Sequence, residues 1–474
     1  MTQGQAAFTI QNALVPTEQG YQTVDVQITD GWIRAIASEL PPVGQVINAS
    51  GQLLLPGFVN AHTHSSELWQ RGMISPLPLE LWLTELYELA PLEPEQIYLS
   101  ALGTAVETLL SGGTTIVDHL VLIPGKEEET IAAAVRAYRE IGIRAFVAPL
   151  IQDLSLEAGL PMRGESIAHP PYGRSTAETL ALVERAVNQF HCPEAGIYIM
   201  VAPTGIQLCS DALFEGSMAL SDRYQLCRHA HLLETKAQYD LAREKYSCSA
   251  VEHLDRLGFL NAQTSLAHCV WLDDADITLL AKTRATVVHN PLSNLRLGSG
   301  IAPLLKYRRA GINITFGCDG SASNDSQDLL EVIKIGTMLH NTTDFDYRHW
   351  ITPREAVQMA SLGGAIGLNL AGQIGTLEVG KIADLVLYDP TQHGVSPQSD
   401  PIGLLIWGRP IQPVRYLWVE GRPIVTEGQV TTIDLPWLKE EIRQHNLWNS
   451  ERSPIPLNRT ESRYRRVMGL GELA

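Results

Sequence analysis

From Pro56 onward, short apolar runs alternate with longer stretches of helical periodicity, and no other feature of the chain restricts its fold so strongly. The apolar runs lie near 56–62, 113–118, 143–149, 196–202, 226–231, 264–268, 285–289 and 312–318, and they read as eight strands. Short continuous apolar runs suit strands buried on both faces. Helical stretches such as Pro94 to Leu110 and Ser175 to Phe190 separate them. Strands and helices in strict turn predict a parallel sheet. Eight repeats predict an α/β fold closed into a (β/α)8 barrel, the TIM-barrel architecture. The stretch Ile151 to Arg174 is long for a barrel loop and is expected to form a lid or a pocket wall.

The flanks follow another pattern. Val24 to Ile28 alternates apolar and polar residues, Asp30-Gly31 reads as a turn, and alternation resumes from Trp32 to Ile36. Past the barrel, Thr352-Pro353-Arg354-Glu355 has the form of a helix start, with Thr352 as cap and Glu355 as its capping-box partner. That helix should run to about Leu368. Strand composition returns from Gly375 to Asp389, with Leu385-Val386-Leu387 as its apolar run. Pairing of the two β segments predicts a small β-sandwich built from both ends of the chain. The expected division is therefore 1–55 and 371–432 for the sandwich, 56–370 for the barrel and 433–474 for a helical tail. Within the tail, Trp437 to Trp448 is amphipathic and should pack on the barrel or on a partner subunit.

The chain has 52 acidic and 35 basic residues and a net charge of −17, which opposes binding to nucleic acid or to anionic membrane surfaces. No apolar run approaches the ~18 residues of a membrane helix. Met1 to Thr9 lacks an apolar leader, so a cytoplasmic location is expected. The six cysteines are scattered without a C-x-x-C pair and should be reduced.

The clearest chemical signal is Pro56-Gly57-Phe58-Val59-Asn60-Ala61-His62-Thr63-His64. Strand alternation sends His62 and His64 to one face at the barrel mouth, where two imidazoles suit a borderline metal such as zinc. Three further strand ends carry polar groups: His229, His231 and Glu234 after strand five, His268 after strand six, and Asp319 after strand eight. Barrel enzymes place their catalytic groups at these ends, so four coincidences of this kind point to one metal site.

In combination these segments resemble the amidohydrolase superfamily, and within it the triazine-hydrolase-like (ATZ/TRZ) and nucleoside, cytosine and guanine deaminase branch. The matching motifs are PGFVNAHTH, HLLET, AHC, HNPLSNLRLGSG, GCDGSASND and GTLEVGKIADLVLYDP. The resemblance spans about residues 1 to 430. It implies one divalent ion, zinc first and ferrous iron as the alternative, held by His62, His64, His231 and Asp319. It implies that Glu234 and His268 act beside the ion. A metal so held lowers the pKa of bound water towards ~7. Glu234 would hold that water or protonate a ring nitrogen, Asp319 would shuttle a proton to the leaving group, and His268 would orient the nucleophile. Two-metal relatives carry a lysine at the end of strand four. Here that strand reads Ile197 to Pro203 without one, which favours a single metal.

The resemblance also frames the substrate. Leu77 to Leu83 is similar to the segment that gives a tryptophan to the nucleoside pocket of adenosine-type deaminases, so Trp82 is expected at the substrate; a helix-core tryptophan is the alternative. Deaminases of methylthioadenosine and S-adenosylhomocysteine have a histidine after strand four, where this chain has Thr204. That departure weakens an adenosine-type reading, although Gln207 can offer an amide in its place. His119 after strand two is expected to reach substrate, the segment His289-Asn290 with Ser293-Asn294 to shape the pocket floor, and Arg163 or Arg174 to meet an anionic group.

The leading reading is hydrolytic deamination of an amino-substituted purine, pyrimidine, nucleoside or triazine by an enzyme without nucleic-acid or membrane partners, as a homo-oligomer such as a dimer. The alternatives are hydrolysis of an N-alkylamine, chloride or ring amide on the same scaffold, and a non-catalytic barrel.

Overall fold

The computed structural model describes residues 7–18, 20–89, 93–164, 173–391, 399–445 and 458–471. Two parallel sheets and one sheet made from both chain ends organise it.

The larger parallel sheet runs Ile197–Ile199, Arg144–Ile151, Gly113–Leu120, Phe58–His64 and Asp319–Gly320, with Ala202–Pro203 also on Arg144–Ile151. The smaller runs Arg228–Leu232, Thr264–His268, Thr286–His289 and Ile314–Phe316. These strands fall at the eight expected positions, and nearly every residue in them is buried, as the apolar runs require. On one side the sheets meet through the His229 amide to the Val201 carbonyl at 3.0 Å and the His231 amide to the Thr204 carbonyl at 3.1 Å. On the other, the chain passes from Phe316 through Gly317-Cys318 into Asp319, which pairs with Thr63.

Helix boundaries follow local chemistry. Pro94–Leu110 begins with a capping box between Glu93 and Gln96, and Thr176–Phe190 with one between Ser175 and Glu178. Thr352 caps Pro353–Gln358, with Glu355 completing the box as expected, and the helical path continues through a widened turn, Met359–Gly363, to Gly367.

The third sheet has nine strands. Phe8–Thr17, Gly20–Thr29 and Trp32–Ala37 form an antiparallel meander. Asp30 (φ 52°) and Gly31 (φ 79°) make its tight second turn, both in the left-handed region that two-residue hairpins require. Leu53–Pro56 then pairs antiparallel with Leu385–Tyr388, joining the two ends of the chain in one sheet. Ile10, Val26, Ile33, Leu54, Leu385 and Trp418 are among the buried residues of its core. Within Gly375 to Asp389 the strand is Leu385–Tyr388, preceded by a single bridge from Ile382 to Trp32, and it does not extend back to Gly375, because Gly375 and Gly380 take φ of 92° and 90°; Val414–Val419, Arg422–Thr426 and Gln429–Val430 complete the sheet.

The nine-stranded sheet is tied to the parallel strands by a buried ion pair between Arg144 and Asp384, with Glu420 3.0 Å from the same guanidinium. Removing one partner of such a pair strands a buried charge, at a cost of roughly 3–5 kcal/mol.

Among the described residues the tail contributes two helices. Leu435–Gln444 lies on Pro94–Leu110, with the Tyr98 and Trp437 rings 6.5 Å apart. Of the amphipathic stretch expected there, 446–448 lie outside the described residues. The second helix, Asn458–Val467, buries Val467 against Leu160 and Ala237. All six cysteines are free. Among the described residues no helix is long and apolar enough to cross a membrane.

Candidate metal centre

The strand ends converge on one point. Phe58–His64 loses its register with Gly113–Leu120 between Asn60 and Thr63, and a bulge there re-aims the last side chains. The Nε2 atoms of His62 and His64 lie 3.5 and 3.4 Å from the same Oδ1 of Asp319. The His231 Nε2 is 3.3 Å from the His64 Nε2. His268 Nε2 stands 3.7 Å from Asp319 Oδ2 and 3.6 Å from Glu234 Oε2. The six residues expected at the centre of the site are therefore brought together.

Backbone strain does part of this work. His268 has φ 73°, Asp319 φ 64° and Leu233, just before Glu234, φ 46°. Alternation along Thr264–His268 places Ser265 and Ala267 on the face of His229 and His231, so His268 leaves the pleat to reach the site. Residues with Cβ in this region cost of order 1 kcal/mol or more each and cluster at functional sites.

Charge states are set by burial. His62 is held well below the ordinary imidazole range by burial, and His231 is brought down to about 3 by burial and by the nearby His64. Burial also lowers His268. These imidazoles are neutral at pH 7, as metal ligation requires. Burial opposes ionisation of Asp319, but the adjacent His62, His268 and His64 keep its carboxyl well below the usual carboxylate range. Glu234 is the opposite case. Burial, then Asp319 and Glu80, raise its carboxyl well above the usual value, which favours its acid form. The Ser299 hydroxyl donates to it at 3.2 Å.

The residues present fit a divalent cation. The His62 Nε2 is buried without a hydrogen-bond partner, an arrangement native proteins rarely leave uncompensated. Beside it stand two further imidazole nitrogens and a carboxylate, a donor set suited to zinc or ferrous iron. Ligand atoms of His62, His64 and Asp319 all lie within 4.8 Å of one another.

A cavity of about 250 Å³ opens over this cluster. His64, His231, Glu234, His268 and Asp319 form its polar floor, while Leu79, Trp82, Leu86, Leu156, Leu160 and Leu297 give much of its apolar wall. Thr204 and Gln207 also line it. Trp82, 2% exposed, thus combines both readings: it is packed in a small core with Leu79 and Leu86, and it faces the cavity. The expected pocket wall is present in Leu156, Glu157, Gly159 and Leu160, whereas 165–172 of the long loop lie outside the described residues.

Other expected residues do not form the cavity floor. His119 stands against the cluster, its ring 4.7 Å from that of His231 and its ligand atom within 4.8 Å of those of His62 and His231, but it does not line the cavity. Its Nε2 donates to the Ala202 carbonyl at 3.1 Å and its own carbonyl accepts from His64 Nδ1 at 2.6 Å, so it is turned inward to satisfy buried backbone. Arg163 is engaged by Asp240 at 2.9 Å and Arg174 by Glu127, each away from the floor. The segment from His289 supports His268 from behind: Asn294 Oδ1 accepts from His268 Nδ1 at 2.9 Å, while His289 pairs with His340 at 3.0 Å.

Some cavity residues escaped sequence reasoning. Glu67 is a buried carboxyl on the wall, Glu80 a half-buried one, and Gln238 lines it as well. Arg463, from the tail, reaches the same wall and donates to the carbonyls of Glu157 at 2.6 Å and Pro161 at 3.3 Å. Glu80 lies two residues before Trp82 in the segment already singled out, which was the available signal; for Arg463 the sequence holds none.

Residues 53–426 match the model of the amidohydrolase family, and the chain belongs to that family. A 5-methylthioadenosine/S-adenosylhomocysteine deaminase of Caldanaerobacter subterraneus is 32% identical over 435 residues, 90% of this chain and 95% of the relative. A 5'-deoxyadenosine deaminase of Methanopyrus kandleri is 31% identical over 81% of this chain and 83% of its own length. Among solved structures, an adenosine deaminase from Xanthomonas campestris with bound zinc superposes with a TM-score of 0.82 at 26% identity, covering 92% of this chain and 97% of that one.

Proposed function

We propose that this chain is a hydrolase of carbon–nitrogen bonds other than peptide bonds, a metal-dependent deaminase of amino-substituted nitrogen heterocycles. The observation that carries the reading is the convergence of His62, His64, His231 and Asp319 at the floor of an apolar cavity, with the buried Glu234 carboxyl 3.6 Å from His268 beside them. Relatives bearing deaminase names at 31–32% identity support it, and they make 6-aminopurine nucleosides the first class to test despite Thr204.

In this reading His62, His64, His231 and Asp319 hold one divalent ion, zinc before iron. Such an ion, when bound, supplies a water whose pKa is lowered towards ~7. The apolar wall with Trp82 packs the heterocycle and excludes bulk water. Glu234 donates its proton to the ring nitrogen next to the reacting carbon, which makes that carbon electrophilic. Asp319 takes a proton from the attacking water, and His268, fixed by Asn294, holds the nucleophile with its Nε2. The proton then passes from Asp319 to the exocyclic amine, the C–N bond breaks with loss of ammonia, and the new hydroxyl yields its proton to Glu234 as it becomes the carbonyl. Thr204 and Gln207 complete the substrate contacts. A second cavity of about 820 Å³ shares Glu67, Leu86, Val121 and Leu156 with the first and gives a ring substituent room to extend.

The same reading includes closure of the two parallel sheets into a (β/α)8 barrel over about 56–370, folding of the nine-stranded sheet into a sandwich, and a tail from about 433.

Ammonia release should be assayed on adenosine, 5'-deoxyadenosine, 5'-methylthioadenosine, guanine, cytosine and an aminotriazine, before and after chelation. Release from at least one, lost on chelation and restored by zinc, is the expected result. A metal-loaded enzyme that releases ammonia from none would overturn the assignment.

A further inference from the structure

An imidazole offers a cation only the nitrogen that carries no proton, so the tautomers of His62, His64 and His231 decide whether the cluster can bind one. For two rings the backbone makes the choice. His64 Nδ1 lies 2.6 Å from the His119 carbonyl and His231 Nδ1 lies 2.7 Å from the Thr204 carbonyl. A carbonyl only accepts, so both rings carry their proton on Nδ1 and leave Nε2 bare.

His62 is built differently. Its Nδ1 lies 2.8 Å from His229 Nε2, and His229 Nδ1 lies 2.7 Å from Ser265 Oγ. His229 and Ser265 stand opposite each other in the register of adjacent parallel strands. All three side chains are buried, so water does not compete for these bonds. Imidazole and hydroxyl each donate or accept, and the chain of bonds can therefore run either way with the same number of protons. In one sense the Ser265 hydroxyl donates to the Arg228 carbonyl, 3.4 Å away, the protons sit on Nδ1 of His229 and His62, and His62 Nε2 is bare. In the other, Ser265 donates to His229, His229 donates to His62, and a hydrogen on His62 Nε2 blocks the site.

We infer that His229 and Ser265 are positioning residues that set the tautomer of His62, so that cation binding selects one direction of a buried side-chain relay. The inference rests on His62 being a ligand. Groups that orient ligating histidines typically change metal affinity by roughly 10- to 100-fold when removed.

Zinc affinity of the stripped and reloaded full chain, measured against a chromophoric chelator, tests the relay. His62→Ala comes first and should weaken zinc binding; unchanged binding overturns the ligand assignment and the relay with it. His229→Phe removes the acceptor facing His62 and should weaken zinc by about 10- to 100-fold, with the unfolding midpoint of the metal-free protein little changed. His229→Gln keeps an acceptor and should recover part of the loss. A folded His229→Phe protein with unaltered zinc affinity, beside a weakened His62→Ala, overturns the relay alone. Should His229→Phe not fold, Ser265→Ala decides: several-fold weaker zinc supports the relay, and parental affinity overturns it.

Discussion

The floor and the outer wall of the metal cavity are made by different means. Floor residues sit at the ends of strands whose backbone is buried and bonded on both sides, and several take left-handed φ to aim their side chains. The wall comes from the helix Leu79–Glu88, the segment around Leu156–Gly159 and the tail helix Asn458–Val467, held by apolar contacts and by Arg463. The floor offers converging imidazole and carboxyl groups, and the wall offers chiefly shape. A change on the floor should therefore alter chemistry or metal content, and a change on the wall should alter which molecule is admitted.

The largest expected effect is on the floor. His231→Ala should lower metal content and activity together, read by elemental analysis and ammonia release. Glu234→Gln keeps the size of the side chain but not its acid, so metal content should stay and turnover should fall by roughly 10²–10⁴-fold. Full turnover in that variant would remove Glu234 from the proton transfers.

Glu67 tests the boundary between floor and wall. Its carboxyl is buried, and burial with the help of Asp319 pushes it up to about 7 from 4.5. The folded state then binds more protons than the unfolded one between those values, so stability is present below about 4.5 and is lost as pH rises through about 7. The shift corresponds to ~3 kcal/mol. Glu67→Gln should flatten the fall in melting temperature of the metal-free protein between pH 5 and 8; an unchanged slope would show that another group carries it.

Wall changes should be smaller. Trp82→Phe should raise KM about tenfold with kcat and metal nearly unchanged. Arg463→Ala should release the segment Glu157 to Pro161 and raise KM a few-fold for nucleosides, with less effect on free bases. If either variant instead lost metal, the division between floor and wall would fail.

How much was legible follows the same division. The eight strand positions were readable because burial on both faces demands continuous apolar runs, and His62, His64, His231 and Asp319 were readable because motif and strand end coincide. Helix caps such as Thr352 with Glu355 are local and were readable as well. The turn of His268 out of its pleat was not, since φ leaves no trace in residue type here. Whether His119 lines the cavity or packs against the cluster behind it could not be read, because a histidine after a strand looks the same in either case. Glu67, Glu80 and Arg463 were hidden because a wall assembled from distant helices has no periodicity along the chain.

The antiparallel pairing of Leu53–Pro56 with Leu385–Tyr388 has a consequence for biosynthesis. On the ribosome the early partner is finished while more than three hundred residues remain to be made, a delay of roughly 20–60 s at ordinary elongation rates. Until then its edge is open, and an open apolar edge invites pairing with other nascent chains. Yield in the cell should accordingly depend on whatever shields that edge during translation.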